Sequence, residues 1–335
     1  MRSRLMLKTP QLKAPLLKAL CYLALFAAFA PAPAGAQNFP ARPLHLIVPF
    51  AAGGPVDLIA RPFAEKMTET LGQPMVVENM GGGGTIIGTD HVAKAAPDGY
   101  TLLVTSAAVM IVPSSYPKLP FDVIKDFAPV SVMSSSTIVL VADPKLPFRT
   151  VPELVAYAKA NPGKLSFGSS GTGGSLHLGG EMLNLMAGIE TTHIPYKGAA
   201  PALTDIMGGH VSMMFVSMAA VLPLSTSGKV RAIAVASLKP AAALPGVPTM
   251  DSFYPGFEVT AGNAVLAPAK TPRPIITRLN QAMAKALGTQ DLKDRFAKSG
   301  VEALSTTPEE AAADVRNEIA RWGKVVKAIN FVATD

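Results

Sequence analysis

Residues 44–61 read LHLIVPFAAGGPVDLIAR. The run Leu44–Phe50 is short and almost wholly apolar, as expected of a strand covered on both faces. Gly53, Gly54 and Pro55 interrupt it, and Ile59, Phe63 and Met67 then recur at the four-residue spacing of a helix facing a core. Strand, glycine turn and helix make the opening half of a βαβ unit. In sheets built from such units, ligands bind beyond the carboxyl ends of the strands. There the turn and the helix start present backbone N–H groups that favour an anion.

The same grammar recurs outward from this stretch. Pro74–Glu78 and Tyr100–Thr105 are further short apolar runs. The first leads into Asn79-Met80-Gly81-Gly82-Gly83-Gly84, the second into Ser106-Ala107. After residue 160, strands are predicted at Lys164–Gly168, Thr192–Pro195, Val211–Val216 and Val230–Ala236, with helices at Leu176–Met186 and Ala200–Gly208. Ala128–Ala142 and Phe257–Pro268 fit neither half and read as crossings into and out of a second lobe. Thr307-Pro308-Glu309-Glu310 is a capping box with proline at the first helical position. Val315, Ile319, Trp322, Val326 and Ile329 follow at helical spacing, so the chain is expected to end as helices on the first lobe. The expected fold class is α/β: two lobes, each a doubly wound, mostly parallel sheet, joined by two hinge crossings. The first lobe is placed at 37–135 and 260–335, the second at 136–259.

Only 16% of the 335 residues are charged, and 49% are apolar, so a disordered chain is excluded. The formal charge of +7 is concentrated at the start, where Arg2, Arg4, Lys8, Lys13 and Lys18 precede an apolar run, Ala19–Ala30, and then Ala34-Gly35-Ala36. That order reads as a secretory signal peptide cut after Ala36, because the apolar run is shorter than the ~20 residues of a spanning helix. Without those five cations, 25 Lys and Arg face 23 Asp and Glu, so the mature chain carries +2. No basic cluster remains for nucleic acid. Cys21 leaves with the segment, and Leu20 before it argues against a lipid anchor. The expectation is a cysteine-free periplasmic protein.

Enzyme signatures fail in turn. Gly168-Ser169-Ser170-Gly171-Thr172 departs from the nucleophile elbow at its fifth position. No paired-cysteine or H-E-x-x-H metal motif is present, and Gly82, Gly84 and Gly88 are spaced one residue too far for a dinucleotide fingerprint. No metal or cofactor is expected. Of the five histidines, His45 and His193 fall in strands and read as core residues, whereas His177 opens a helix beside the second-lobe glycine turn. Asp57 and Arg61, four apart on one helix, are expected to pair. Lys197 either attracts an anion or is solvated, and Asp205 is read as fixing nearby backbone.

In order and spacing, these segments resemble the Bug receptors of tripartite tricarboxylate transporters. The resemblance is carried by PFAAGGPVDLIAR (49–61), LGQPMVVEN (71–79), PDGYTLLVTS (97–106), LPFDVIKDFAPV (119–130), ELVAYAKANPGKLSFGSSGTGG (153–174), HLGGE (177–181), HIPYKGAAPALTDIMGGHV (193–211), GKVRAIAVAS (228–237) and LPGVPTM (244–250). It implies a Venus-flytrap receptor without catalysis that binds a small carboxylate through backbone amides and water. By motif position it places Phe50, Ala52, Gly53, Gly54, Asp57, Ser106 and Ala107 on the first-lobe side of the cleft. On the second-lobe side it places Ser169, Ser170, Gly171, Thr172, His177, Lys197 and Asp205. The implied partners are a large and a small integral-membrane transporter subunit or, alternatively, a sensor kinase ectodomain, with the receptor itself a monomer. Three departures stand out: Met80 where relatives carry arginine, Gly262-Asn263 where a tryptophan is common, and Gly174 in place of a serine. The first two imply a ligand other than citrate, bulkier or with one carboxylate. A remote alternative is an exported hydrolase using Ser170 with His177.

Overall fold

The run Leu44–Val48 forms β1, buried except at the half-exposed His45. The computed structural model describes residues 39–196, 198–259 and 261–333. The sequence expectations for residues 1–36 therefore lie outside the described residues, as does Lys197. After β1 come α1 (Pro55–Leu71), β2 (Met75–Asn79), α2 (Ile86–Ala93), β3 (Thr101–Val104), α3 (Ala107–Ser115) and β4 (Phe127–Ser135). Proline at its first position starts α1; Ile59, Phe63 and Met67 are buried on it, and Gly72 in the left-handed region ends it.

Two residues separate β4 from β5 (Ile138–Ala142), and these two strands lie in different sheets. The stretch read as one long crossing is thus two strands divided at Ser136-Thr137. The second sheet adds α4 (Val151–Ala160), β6 (Ser166–Ser169), α5 (Ser175–Ala187), β7 (Thr192–Pro195), α6 (Ala199–Gly208), β8 (Met213–Ser217), α7 (Met218–Thr226) and β9 (Arg231–Val235). The chain returns through Val259, whose N–H donates to Ala236 O, to β10 (Asn263–Pro268). It finishes as α8 (Arg273–Leu287), α9 (Gln290–Lys298), β11 (Glu302–Ala303) and α10 (Pro308–Ala328).

The first sheet has the order β11-β4-β10-β3-β1-β2 and the second β7-β6-β8-β5-β9. β1 pairs parallel with β2 and β3, and β6 pairs parallel with β7 and β8. Hence the ends of β1, β2 and β3 open on one edge of their sheet, and those of β6 and β7 on one edge of theirs. β5 and β10 run antiparallel to their neighbours and are buried along their whole length, because each lies inside its sheet.

The capping box forms as expected: Thr307 Oγ1 accepts from Glu310 N–H at 3.2 Å, and Glu310 Oε2 accepts from Thr307 N–H at 2.8 Å. The helix it starts does more than return to the first sheet. α10 packs on α3 and β4 but also on α5 of the second sheet. One apolar cluster consequently runs from Ile47 and Leu103 through Trp322 and Val326 to Phe167 and Phe215. Trp322 is fully buried, and its indole N–H donates to Glu318 at 2.8 Å.

Candidate functional site

Asp57 stands in the first turn of α1 and is 2% exposed. Its Oδ2 accepts from Gly53 N–H at 2.8 Å and from Arg61 Nε at 2.9 Å, and its Oδ1 accepts from Asn79 Nδ2 at 3.0 Å. Arg61 Nη2 donates to Asn79 Oδ1 at 3.0 Å, while Asn79 Nδ2 also reaches Phe50 O at 3.2 Å. Burial by itself pushes the Asp57 carboxyl up, but Arg61, the Gly53 amide and Asn79 outweigh it and hold the group below the ordinary aspartate value. The expected Asp57–Arg61 pair exists, and its charges are committed to shaping the turn Phe50–Gly54. Ala52 and Gly53 are exposed at the tip of that turn.

The glycine run from β2 meets this turn closely. A Cβ at Gly81 would lie 3.3 Å from Ala51 N and Phe50 C. Beside it, Ser106 caps α3 by accepting Ala108 N–H at 3.2 Å. By contrast, α1 begins after Gly54 and α5 after Gly174 without any capping side chain. Pro55 has no N–H, so the free amides of α1 begin at Val56; these and the first amides of α5 carry no side-chain cap and are left for a ligand or water.

The turn Ser169–Gly174 is held from behind by a serine and two imidazoles. Ser169, fully buried, donates its hydroxyl to Gly171 O at 2.8 Å, accepts Gly171 N–H at 3.2 Å, and meets His193 Nε2 at 2.7 Å. His177, 5% exposed, accepts Gly173 N–H on Nδ1 at 3.1 Å. The two imidazoles lie 3.9 Å apart, centroid to centroid. Burial and the neighbouring His177 push His193 down to about 4. Ser170 and Thr172 are exposed at the tip, and Gly171 is half-buried. Asp205 takes the Tyr196 hydroxyl at 2.6 Å; burial and this carboxylate push Tyr196 up to about 12.

Two cavities adjoin these turns. The larger, of about 1150 Å³, is walled by Phe50, the Gly81–Thr85 segment, one side of α3, Thr172–Gly174 and Phe331. Among its described lining residues none is charged. The smaller, of about 370 Å³, is walled by Ser106, Ala107, the end of β4 with Ser136, Gly262-Asn263 and the carboxylates of Glu310, Asp314 and Glu318. The expected residues therefore divide. Phe50 and Thr172 share one cavity, and Ser106 and Ala107 border the other. Asp57, Ser169 and His177 stand behind the turns, and Asp205 holds Tyr196.

Sequence reading missed three contributors: Asn79 as the tie between the first two loops, His193 as the partner of Ser169, and Phe331. The Phe331 ring lies 5.7 Å from that of His177 and faces Gly173, where a Cβ would meet it at 3.2 Å. His45, read as a core residue, is half-exposed and pairs with Glu78 across β1 and β2. Ser170 and His177 are not partners in the structure; the hydroxyl that meets an imidazole is that of Ser169, and the imidazole is His193.

Two mixed sheets joined by two crossings, with glycine turns at the strand ends, make the two-lobed α/β fold of the binding-protein type. The family model of the tripartite tricarboxylate transporter family receptor matches residues 59–331, and the chain belongs to that family. It is similar to Protein BugT of Bordetella pertussis, 40% identical over 299 residues that cover 88% of this chain and 92% of BugT. The solved periplasmic binding protein BugD is 38% identical with a TM-score of 0.70, covering 88% of this chain and all 100% of BugD. MatC of Rhodopseudomonas palustris with bound malate is 34% identical with a TM-score of 0.70, covering 86% of this chain and 100% of MatC. The family is one of receptors, so the chain is a solute-binding protein and not an enzyme. Among the described residues no helix is long and apolar enough to cross a membrane.

Proposed function

We propose that the chain captures a small carboxylate between the turns Phe50–Gly54 and Ser169–Gly174 and delivers it to a large and a small integral-membrane transporter subunit. One observation carries the reading. Asp57 and Arg61 are paired with each other, whereas the first-turn amides after Gly54 (from Val56 on, Pro55 having none) and after Gly174 have no side-chain cap. A carboxylate can replace water on those amides, aided by the positive ends of two helices. The malate bound by MatC supports the same ligand class.

In this reading the lobes are 37–135 with 260–335, and 136–259. Ligand docks on the first lobe, the lobes close about the two crossings, and the membrane subunits read the closed form. The chain acts as a monomer after losing residues 1–36. The uncharged lining of the larger cavity, with Met80 just before its glycine segment, favours a ligand with one carboxylate or a bulky body over citrate.

A thermal-shift screen of the exported chain against mono-, di- and tricarboxylates, acidic amino acids and aromatic acids tests the proposal. A ligand at 100 times its Kd adds ~2.7 kcal/mol, or roughly 5–10 °C for a chain of this size class. Stabilisation by one acid class is the expected outcome; a flat response to all of them sinks the carboxylate reading.

A further inference from the structure

Behind the second-lobe turn lie two imidazoles in contact, and neither lines the two cavities described above. His177 sits one turn into α5. The bond it accepts from Gly173 N–H fixes Nδ1 as its bare nitrogen and leaves the proton on Nε2, 3.6 Å from Glu181 Oε1. His193 on β7 holds Ser169, which in turn clasps both the N–H and the C=O of Gly171. Thus two of the turn's amides, at Gly171 and Gly173, are set by side chains that end on this imidazole pair.

From this geometry we infer that His177 and His193 are positioning residues: as a neutral pair they hold the Ser169–Gly174 turn in its ligand-receiving shape, and protonation of His177 releases it. The chemistry is direct. A proton on Nδ1 turns the acceptor of Gly173 N–H into a second donor facing it, so the bond is replaced by a clash of like dipoles. The charge formed also lies 3.9 Å from a second imidazole, which then cannot ionise as well. Among the described residues, the ionisable groups that face the pair are the two imidazoles and Glu181 of α5. Phe167 from β6 and Phe331 from the chain end complete the surround and do not titrate. Glu181 stabilises a charged His177 and so opposes the neutral state. Burial and the neighbouring His177 push His193 down to about 4, so that imidazole stays uncharged near neutrality.

The inference rests on the receptor reading above but can be tested apart from it. The exported chain, labelled with ¹⁵N-glycine, is titrated by NMR between about pH 8 and pH 5, where an imidazole changes charge. In the unaltered chain the Gly171 and Gly173 amides should move together with the His177 ring signals. His177→Asn keeps an oxygen acceptor near the Nδ1 position and cannot titrate, so both amides should stay at their high-pH positions throughout. His177→Phe keeps the ring but no acceptor, and should show released amides even at the alkaline end.

A second arm measures binding of malate, adipate and benzoate as probes. Affinity of the unaltered chain should fall about tenfold per pH unit below the His177 titration, as one linked proton requires, while His177→Asn stays flatter. Protonation of the probe itself is common to both chains and cancels. Glycine amides that ignore the His177 titration, or a His177→Asn chain with the unaltered pH profile, overturn the inference. Failure of all three probes to bind at pH 8 counts against the receptor reading for those acids, and the amide titration still decides the positioning role.

Discussion

The two turns that face each other across the cleft are built from opposite materials. Phe50–Gly54 is shaped by charge: an ionised Asp57, buried, gathers a guanidinium, a side-chain amide and a backbone amide. Ser169–Gly174 is shaped by neutral polarity: a serine and two imidazoles, each able to donate on one side and accept on the other. Both solutions fix glycine amides at the start of a helix. The first works only while its carboxyl is deprotonated, the second only while His177 keeps a bare nitrogen. One cleft therefore has two walls with different acid tolerances.

That contrast can be broken in order of effect. Asp57→Ala should cost the most, about 2–3 kcal/mol, because three donors lose a charged acceptor in a largely buried site. Urea unfolding reads it, and a loss below about 0.5 kcal/mol would mean that the charge network does not shape the first turn. Ser169→Ala should cost about 1–2 kcal/mol, since it leaves the Gly171 carbonyl and His193 without a partner but removes no charge. Equal losses in the two variants would erase the distinction between the walls.

Acid should separate them in the other direction. His193, lowered from 6.5 to about 4, contributes in full above pH 6.5 and loses its contribution as pH falls from there toward 4. Asp57, lowered from 3.8, contributes in full above that value and loses its contribution only as pH falls below it. Hydrogen exchange, corrected for intrinsic rate, should therefore show the Gly171 amide loosening first and the Gly53 amide later. Loosening in the reverse order would contradict the contrast. The smallest change is Met80→Arg beside the glycine segment. It should alter stability by less than about 1 kcal/mol and shift preference toward multiply charged acids several-fold, the reach of a surface ion pair of roughly 1 kcal/mol. An unchanged ligand ranking would remove Met80 as a determinant.

Much of this architecture is legible in the chain because it depends on local chemistry. Apolar runs such as Leu44–Val48 declare buried strands, glycine pairs declare turns, and Thr307 with Glu310 declares a helix start within four residues. The Asp57–Arg61 pair is legible for the same reason, since a helix brings residues four apart together. Other features are not local. His177 and His193 are sixteen positions apart and touch only because α5 packs back over β6 and β7. Asn79 reaches Phe50 and Asp57 only through the parallel pairing of β1 with β2. The division at Ser136-Thr137 could not be read from residues 128–142, because a strand looks alike in either sheet.

By itself, then, the sequence determined most of the elements, the two-lobe plan, the glycine turns at the strand ends and the family. It did so because hydrophobic period, capping and turn chemistry act over a few residues. Only the tertiary structure decided which polar side chains turn away from the cleft to brace those turns, and that α10 and Phe331 join both sheets into one core. Such contacts are set by packing between segments far apart in the chain, where no spacing rule applies.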